Sequence, residues 1–234
     1  MKMQICKGLL AVVGACTAHT AFVQTSTQAT APLGAAGPQE EIEWTWEVRP
    51  AHADTKLPNV LLVGDSISRN YFPEVQKQLA GVANIYLFAT SACAGDPRLP
   101  GQLKQFARME RVEFQAVHVN NGMHGWTYSE AAYATGLTEL LHAVHRIAPK
   151  AALVWANTTP VRGESQPGPT NARIDARNLS ALAMANRAGI VVDDQHELMT
   201  QHADLYEDDV HFNVVGANLQ GDQAAESIRK RLGK

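Results

Sequence analysis

The ten residues Asn59-Val60-Leu61-Leu62-Val63-Gly64-Asp65-Ser66-Ile67-Ser68 leave the surrounding chain little freedom. A short apolar run rich in β-branched residues stops at Gly64, and a polar, helix-like spacing begins at Arg69, which predicts a strand, a tight turn and a helix start. In an open parallel sheet such a turn lies at the carboxyl edge of the strands, where ligands bind, and it sets Ser66 near the positive end of the following helix. A hydroxyl in that position can act as a nucleophile. Gly, Asp and Ser are also ordinary turn residues, so the tripeptide alone reads equally well as turn chemistry.

The periodicity of the rest supports an alternation of strands and helices. Phe72, Val75 and Leu79 share a helical face between Arg69 and Leu79, and Ala83 to Phe88 reads as a second buried strand. Thr90 to Gly101 is expected to be a loop, broken by Gly95, Pro97, Pro100 and Gly101, before a short helix around Leu103 to Met109. A third strand, Ala116 to Val119, ends in Asn120-Asn121-Gly122. Thr127 with Glu130 fits a capping box that opens a helix carrying Tyr133, Leu137, Leu140, Leu141 and Val144 on one face. Ala151 to Trp155 is a fourth strand, about Asn171 to Arg187 a helix, Ile190 to Val192 a short fifth strand, and about Val215 to Leu232 the last helix. This order predicts an α/β fold, a three-layer α/β/α sandwich around a five-stranded parallel sheet in the flavodoxin-like order 2-1-3-4-5.

Three segments are expected. Residues 1–31 resemble a leader, with Lys2 and Lys7 ahead of the apolar run Gly8 to Ala15 and small residues beyond it. Cleavage in the region of Ala18 to Ala31 competes with lipid attachment at Cys16, and either outcome implies export to the periplasm, the medium or the envelope surface. Residues 32–56 form a Pro/Gly-rich linker and an arm that becomes ordered near Trp44 and Trp46. Residues 57–234 form the main domain, long enough for one sizeable core. A net charge of −3 with scattered Lys and Arg argues against a nucleic-acid surface, and a membrane partnership is expected only through a lipid at Cys16. Cys93 is the one cysteine beyond the leader, so an exported mature chain would rely on packing rather than an internal disulfide.

An activated serine needs a base and a group to orient it. Asp208-Asp209-Val210-His211 supplies both just before the last helix: the Asp208 carboxylate can accept from one ring nitrogen of His211 and leave the other to take the Ser66 proton. Asp209 points elsewhere in that geometry. Gly64-Asp65-Ser66-Ile67 after a buried strand, with Asp208-x-x-His211 before the C-terminal helix, resembles the SGNH (GDSL) hydrolase superfamily from about Leu57 to Leu232. The resemblance implies Ser66 as nucleophile, Asp208 and His211 as the rest of the triad, and Gly95 in Ala94-Gly95-Asp96 as a backbone oxyanion donor beside the N–H of Ser66. Where the family reads Gly-x-Asn-Asp, this chain has Gly122-Met123-His124-Gly125, so the third donor falls to His124 or to Asn120 or Asn121. A bacterial subgroup associated with carbohydrate degradation shares the Asn-x-Gly-x-His variation and similar Ser-x-Arg and Val-His-Phe segments.

The resulting expectation is an exported serine esterase that removes acyl groups, acetyl foremost, from carbohydrate, with no cofactor and no metal. Arg69 and Asn121 are the expected substrate contacts, and the partner is a small-molecule or glycan ester. Acyl transfer or lipid or thioester hydrolysis by the same triad is the enzymatic alternative, and a non-catalytic glycan-binding envelope protein is the alternative of another class. Trp44, Trp46 and Trp126 read equally as sugar platforms and as cover for the sheet.

Overall fold

The computed structural model describes residues 40–233, so the expected leader, its Cys16 and the first part of the linker lie outside the described residues. The elements are β1 (Thr45–Val48), β2 (Asn59–Gly64), α1 (Ser66–Gln78), β3 (Asn84–Thr90), α2 (Leu99–Glu110), β4 (Ala116–Asn120), α3 (Glu130–Ile147), β5 (Ala152–Ala156), α4 (Asn171–Ala188), β6 (Val191–Asp193), α5 (Gln195–Thr200) and α6 (Val214–Arg231). Their strands form one sheet in the order β1-β3-β2-β4-β5-β6. Five of them, β3-β2-β4-β5-β6, are parallel and realise the expected 2-1-3-4-5 order. The sheet differs from expectation in a sixth, antiparallel edge strand: β1, from the arm, pairs with β3 from Thr45↔Thr90 to Val48↔Leu87. With only four residues and mostly exposed side chains, β1 has no buried period for the sequence to display.

Alternate residues of β2 enter two cores, as the pleat requires. Val60 and Leu62 pack with Tyr71 and Val75 of α1, Leu79 directly after it, and Ala224 and Ile228 of α6. Leu61 and Val63 pack on the other face with Leu103 and Phe106 of α2, Tyr133, Leu137 and Leu140 of α3 and Met184 of α4. These are the two outer layers of the sandwich.

Two local corrections have simple causes. α2 starts at Leu99 rather than after Gly101, because a proline in the first turn of a helix gives up an N–H that has no partner there anyway. Ser129, not Thr127, caps α3, accepting from the Ala132 N–H at 3.2 Å, so Glu130 becomes the first helical residue.

Two devices shape the loops at the carboxyl edge. The first is Arg177 of α4, fully buried, whose guanidinium donates to the carbonyls of Gly122 (2.8 Å), His124 (2.7 Å) and Gly125 (3.1 Å) and lies 4.0 Å from the centre of the Trp126 ring. It pins the loop after β4 by its backbone. The second is Gly136 of α3, where a Cβ would fall 1.8 Å from the Ala94 carbonyl oxygen and 3.0 Å from the Gly95 nitrogen. Alanine ordinarily stabilises a helix interior over glycine by roughly 1 kcal/mol. Gly136→Ala is predicted to do the opposite here, lowering the urea midpoint and displacing the Ala94–Gly95 loop. A variant as stable as the parent would remove this account of the loop.

Candidate active site

Gly64 ends β2 where the chain must turn at once into α1, and a Cβ there would sit 2.0 Å from the Ser68 Oγ. Asp65 caps the helix, its Oδ1 accepting from the Ile67 N–H at 2.9 Å. Burial pushes the Asp65 carboxyl up from its ordinary range, against the pull of His124, the Ile67 N–H and His211. Ser66 is therefore the first residue of α1, its N–H among the open donors of a helix N-terminus. Its Oγ meets the Nε2 of His211 at 2.8 Å.

His211 reaches that position from a tight turn that Asp208 organises. One oxygen of Asp208 accepts the N–H groups of Val210 (2.7 Å) and His211 (2.6 Å), and the other meets the His211 Nδ1 at 2.9 Å. Burial opposes ionisation of Asp208, but these hydrogen bonds outweigh it and bring its carboxyl down to about 2. An acceptor-only carboxylate fixes the proton of neutral His211 on Nδ1, and Nε2 then carries the lone pair that faces the Ser66 hydroxyl. Asp209 points away, toward Arg162 at 3.6 Å. Stacked Tyr206 and Phe212, 4.2 Å between ring centres, flank the turn, and Asn213 caps α6 directly after it.

The residues expected around the oxyanion are not equivalent. Asn121 is buried with both ends of its amide engaged: Oδ1 accepts from the Ala94 N–H at 2.7 Å and Nδ2 donates to the Ala92 carbonyl at 3.1 Å. It ties the loop after β4 to the loop bearing Gly95, which is a different task from the substrate contact expected of it. Asn120, at the end of β4, donates to the Ala156 carbonyl at 3.2 Å. Its amide hydrogens are thus turned to the sheet rather than to a pocket. Gly95 follows β3 in a loop against the Tyr128 ring, 3.2 Å from where its Cβ would be. Burial raises the neighbouring Cys93 thiol to about 11, against smaller contributions from Arg177 and from the Gly95 and Asp96 N–H groups. A thiol so raised is a packing group. His124 directs Nδ1 to Glu40 at 2.9 Å, and its Nε2 is closed to solvent without a partner among the described residues.

Arg69 lies one helical turn after Ser66, exposed, with its guanidinium 5.6 Å from the Trp44 ring centre and 5.3 Å from that of Trp46. Trp46 is 51% exposed. Trp126 is instead taken up by Arg173 and Arg177. Glu40, Gly136 and Arg177 escape a reading of the sequence. A lone glutamate in a linker, a glycine within a helix and an arginine within a polar helix carry no local pattern that announces a role. Among the described residues no group of His, Cys, Asp and Glu side chains is arranged to hold a metal ion.

Comparison with known proteins bears on the fold and the family. No curated protein sequence matches the chain. Among solved structures, a lipase/acylhydrolase from Enterococcus faecalis superposes with a TM-score of 0.61 at 18% identity, over 75% of this chain and 97% of that one. A carbohydrate esterase family 3 protein from Talaromyces cellulolyticus gives 0.61 at 16% identity, over 74% and 97% of the two chains. An acetylxylan esterase from Geobacillus stearothermophilus gives 0.58 at 15% identity, over 76% and 94%. At these identities the likeness establishes the fold. The profile of the GDSL-like lipase/acylhydrolase family matches residues 62–219, a span that runs from the serine turn through the Asp208–His211 turn into α6. The chain therefore belongs to the GDSL-like lipase/acylhydrolase family and is an SGNH-type ester hydrolase.

Proposed function

We propose that this protein is an exported esterase that removes O-acetyl groups from carbohydrate through an acyl-enzyme on Ser66. The observation that carries the reading is the continuous relay from Asp208 through His211 to the Ser66 Oγ, at 2.9 and 2.8 Å. His211 takes the serine proton as the hydroxyl attacks the ester carbonyl, then returns it to the leaving sugar hydroxyl. In the second half-reaction it activates water in the same way, and acetate leaves. Negative charge that develops on the carbonyl oxygen is met by the backbone N–H groups of Ser66 and Gly95, with His124 as the third donor. The Nε2 of His124 is closed to solvent, so an acyl oxygen reaches it only as the side chains over it give way.

Two features support carbohydrate over lipid. The exposed ground beside Ser66 is an indole and guanidinium platform, Trp46 and Arg69, of the kind that stacks on sugar rings. Two of the structural neighbours are themselves described as a carbohydrate esterase and an acetylxylan esterase. Export rests on the basic start, apolar run and small-residue tail of residues 1–31.

Ser66→Ala and His211→Ala are each predicted to lower kcat on 4-nitrophenyl acetate by on the order of 10⁴-fold or more, and Asp208→Asn by somewhat less, with folding intact by circular dichroism. Equal background rates in all variants would refute the serine mechanism. The carboxyl of Asp208, held down to about 2, stays ionised across the working range, so protonation of Asp208 should contribute no limb to a kcat/KM profile recorded there. Trp46→Ala should raise KM for acetylated xylan or another acetylated glycan several-fold while leaving 4-nitrophenyl acetate nearly unaffected. An equal effect on both substrates would contradict the platform.

A further inference from the structure

Glu40 lies well before the segment the family profile spans, yet its carboxylate engages His124 and Gly125, the two positions at which this chain departs from the family pattern. One carboxylate oxygen accepts the Gly125 N–H at 2.9 Å, and the other meets the His124 Nδ1 at 2.9 Å. The arm that bears Glu40 is firmly tied. Glu43 accepts the Ser91 hydroxyl at 2.8 Å and an Arg98 N–H at 3.0 Å, the Trp44 carbonyl accepts the Ser91 N–H at 3.1 Å, and β1 continues the arm along β3. The Trp44 ring meets the His124 imidazole edge-on at 5.7 Å and on the way holds Arg69. The arm thus touches both His124 and Arg69.

We propose that Glu40 is a positioning residue for His124, and that the arm from Glu40 to Val48 is a wall of the active site in addition to an edge of the sheet. The proposal rests on the esterase reading of the Ser66 site. An ionised carboxylate only accepts, so Glu40 requires a hydrogen on Nδ1 and fixes the ring against a flip. Nε2 is then the only ring nitrogen left for a substrate oxygen. For Nε2 to donate to an oxyanion the ring must be an imidazolium, since the neutral form held in this way offers a lone pair instead. The charges around the ring favour that form: Glu40 and Glu43 of the arm and Asp65 of the serine turn pull toward it. Arg177 of α4, which donates to the His124 carbonyl, and Arg69 across Trp44 push against it. Burial alone would lower the His124 pKa, and the carboxylates, Glu40 first, reverse the sign and raise it. This chain thereby replaces a neutral amide donor by a charged one, and the residue that makes the replacement work comes from outside the shared domain.

The test compares the full chain with Glu40→Gln, His124→Gln and the double variant. Long-range ¹H–¹⁵N spectra of the imidazoles, recorded across a pH titration, read His124 without reference to activity. The expected result is a titration midpoint lower by about one unit or more in Glu40→Gln than in the parent, with a mixed tautomer once neutral. On 4-nitrophenyl acetate, Glu40→Gln should lower kcat about tenfold, with the loss growing as pH rises through the His124 titration, and should add nothing in the His124→Gln background. An unchanged His124 titration, or losses that multiply in the double variant, would overturn the proposal. A parent chain without esterase activity whose His124 still shifts in Glu40→Gln would overturn the esterase reading and leave the hold of Glu40 on His124 standing.

Discussion

The site depends on how closely α6 can lie against α1. Ser66 opens α1 and His211 sits just before α6, 145 residues later, and their side chains meet only because the two helices are in near backbone contact. Gly221 makes this approach possible: a Cβ there would fall 2.6 Å from the Glu74 Cβ and 2.9 Å from the Tyr71 carbonyl. Ala224 and Ala225 continue the small face. The end of β6 and the start of α5 then fix the middle of α6, since Gln223 donates to Asp193 at 2.7 Å and Gln195 donates to the Gln220 carbonyl at 3.1 Å. Asp193 in turn holds the buried His118 of β4 at 2.8 Å. A chain of polar contacts therefore runs from the centre of the sheet to the helix that follows the base, and it is satisfied at the carboxylate, where an unpaired buried charge would cost most.

The carboxyl edge is built on the same economy of backbone contacts. The loop after β3 is held by the Asn121 amide and made room for by Gly136, and the loop after β4 is held through its carbonyls by Arg177. Gly125 has φ +69°, and a Cβ there would lie 2.2 Å from the Cys93 sulfur, so the two loops interlock at a place where only glycine fits. Donors to a developing oxyanion are useful only if they do not have to reorganise when charge appears. Two loops locked to each other and to α4 meet that requirement.

Much of this was legible from residue order. The β2 run and its Gly-Asp-Ser turn, the order of the five parallel strands and the Asp208-x-x-His211 turn all follow from local patterns of period and spacing. What escaped was set by contacts between distant segments. β1 has no buried stripe because its value lies in pairing with β3 and in carrying Trp44 and Trp46. Asn121 was legible as a polar residue at a strand end, but the sequence cannot tell an amide that faces a substrate from one that staples a neighbouring loop. Arg177 reads as solvent-facing because arginine is almost always so, and only the three loop carbonyls converging on it account for its burial. The start of α2 at Leu99 and the cap of α3 at Ser129 escape for a smaller reason, since prolines and capping residues cluster at boundaries without marking which residue is the first.

The central claim is that Ser66 is a nucleophile activated by His211, and covalent capture tests it most directly. The full chain would be treated with a small fluorophosphonate and followed by intact-protein mass spectrometry and peptide mapping. The account predicts a single adduct on Ser66, absent in Ser66→Ala and formed far more slowly in His211→Ala. An unmodified protein, an adduct on another residue, or labelling of Ser66 at the same rate without His211 would contradict it.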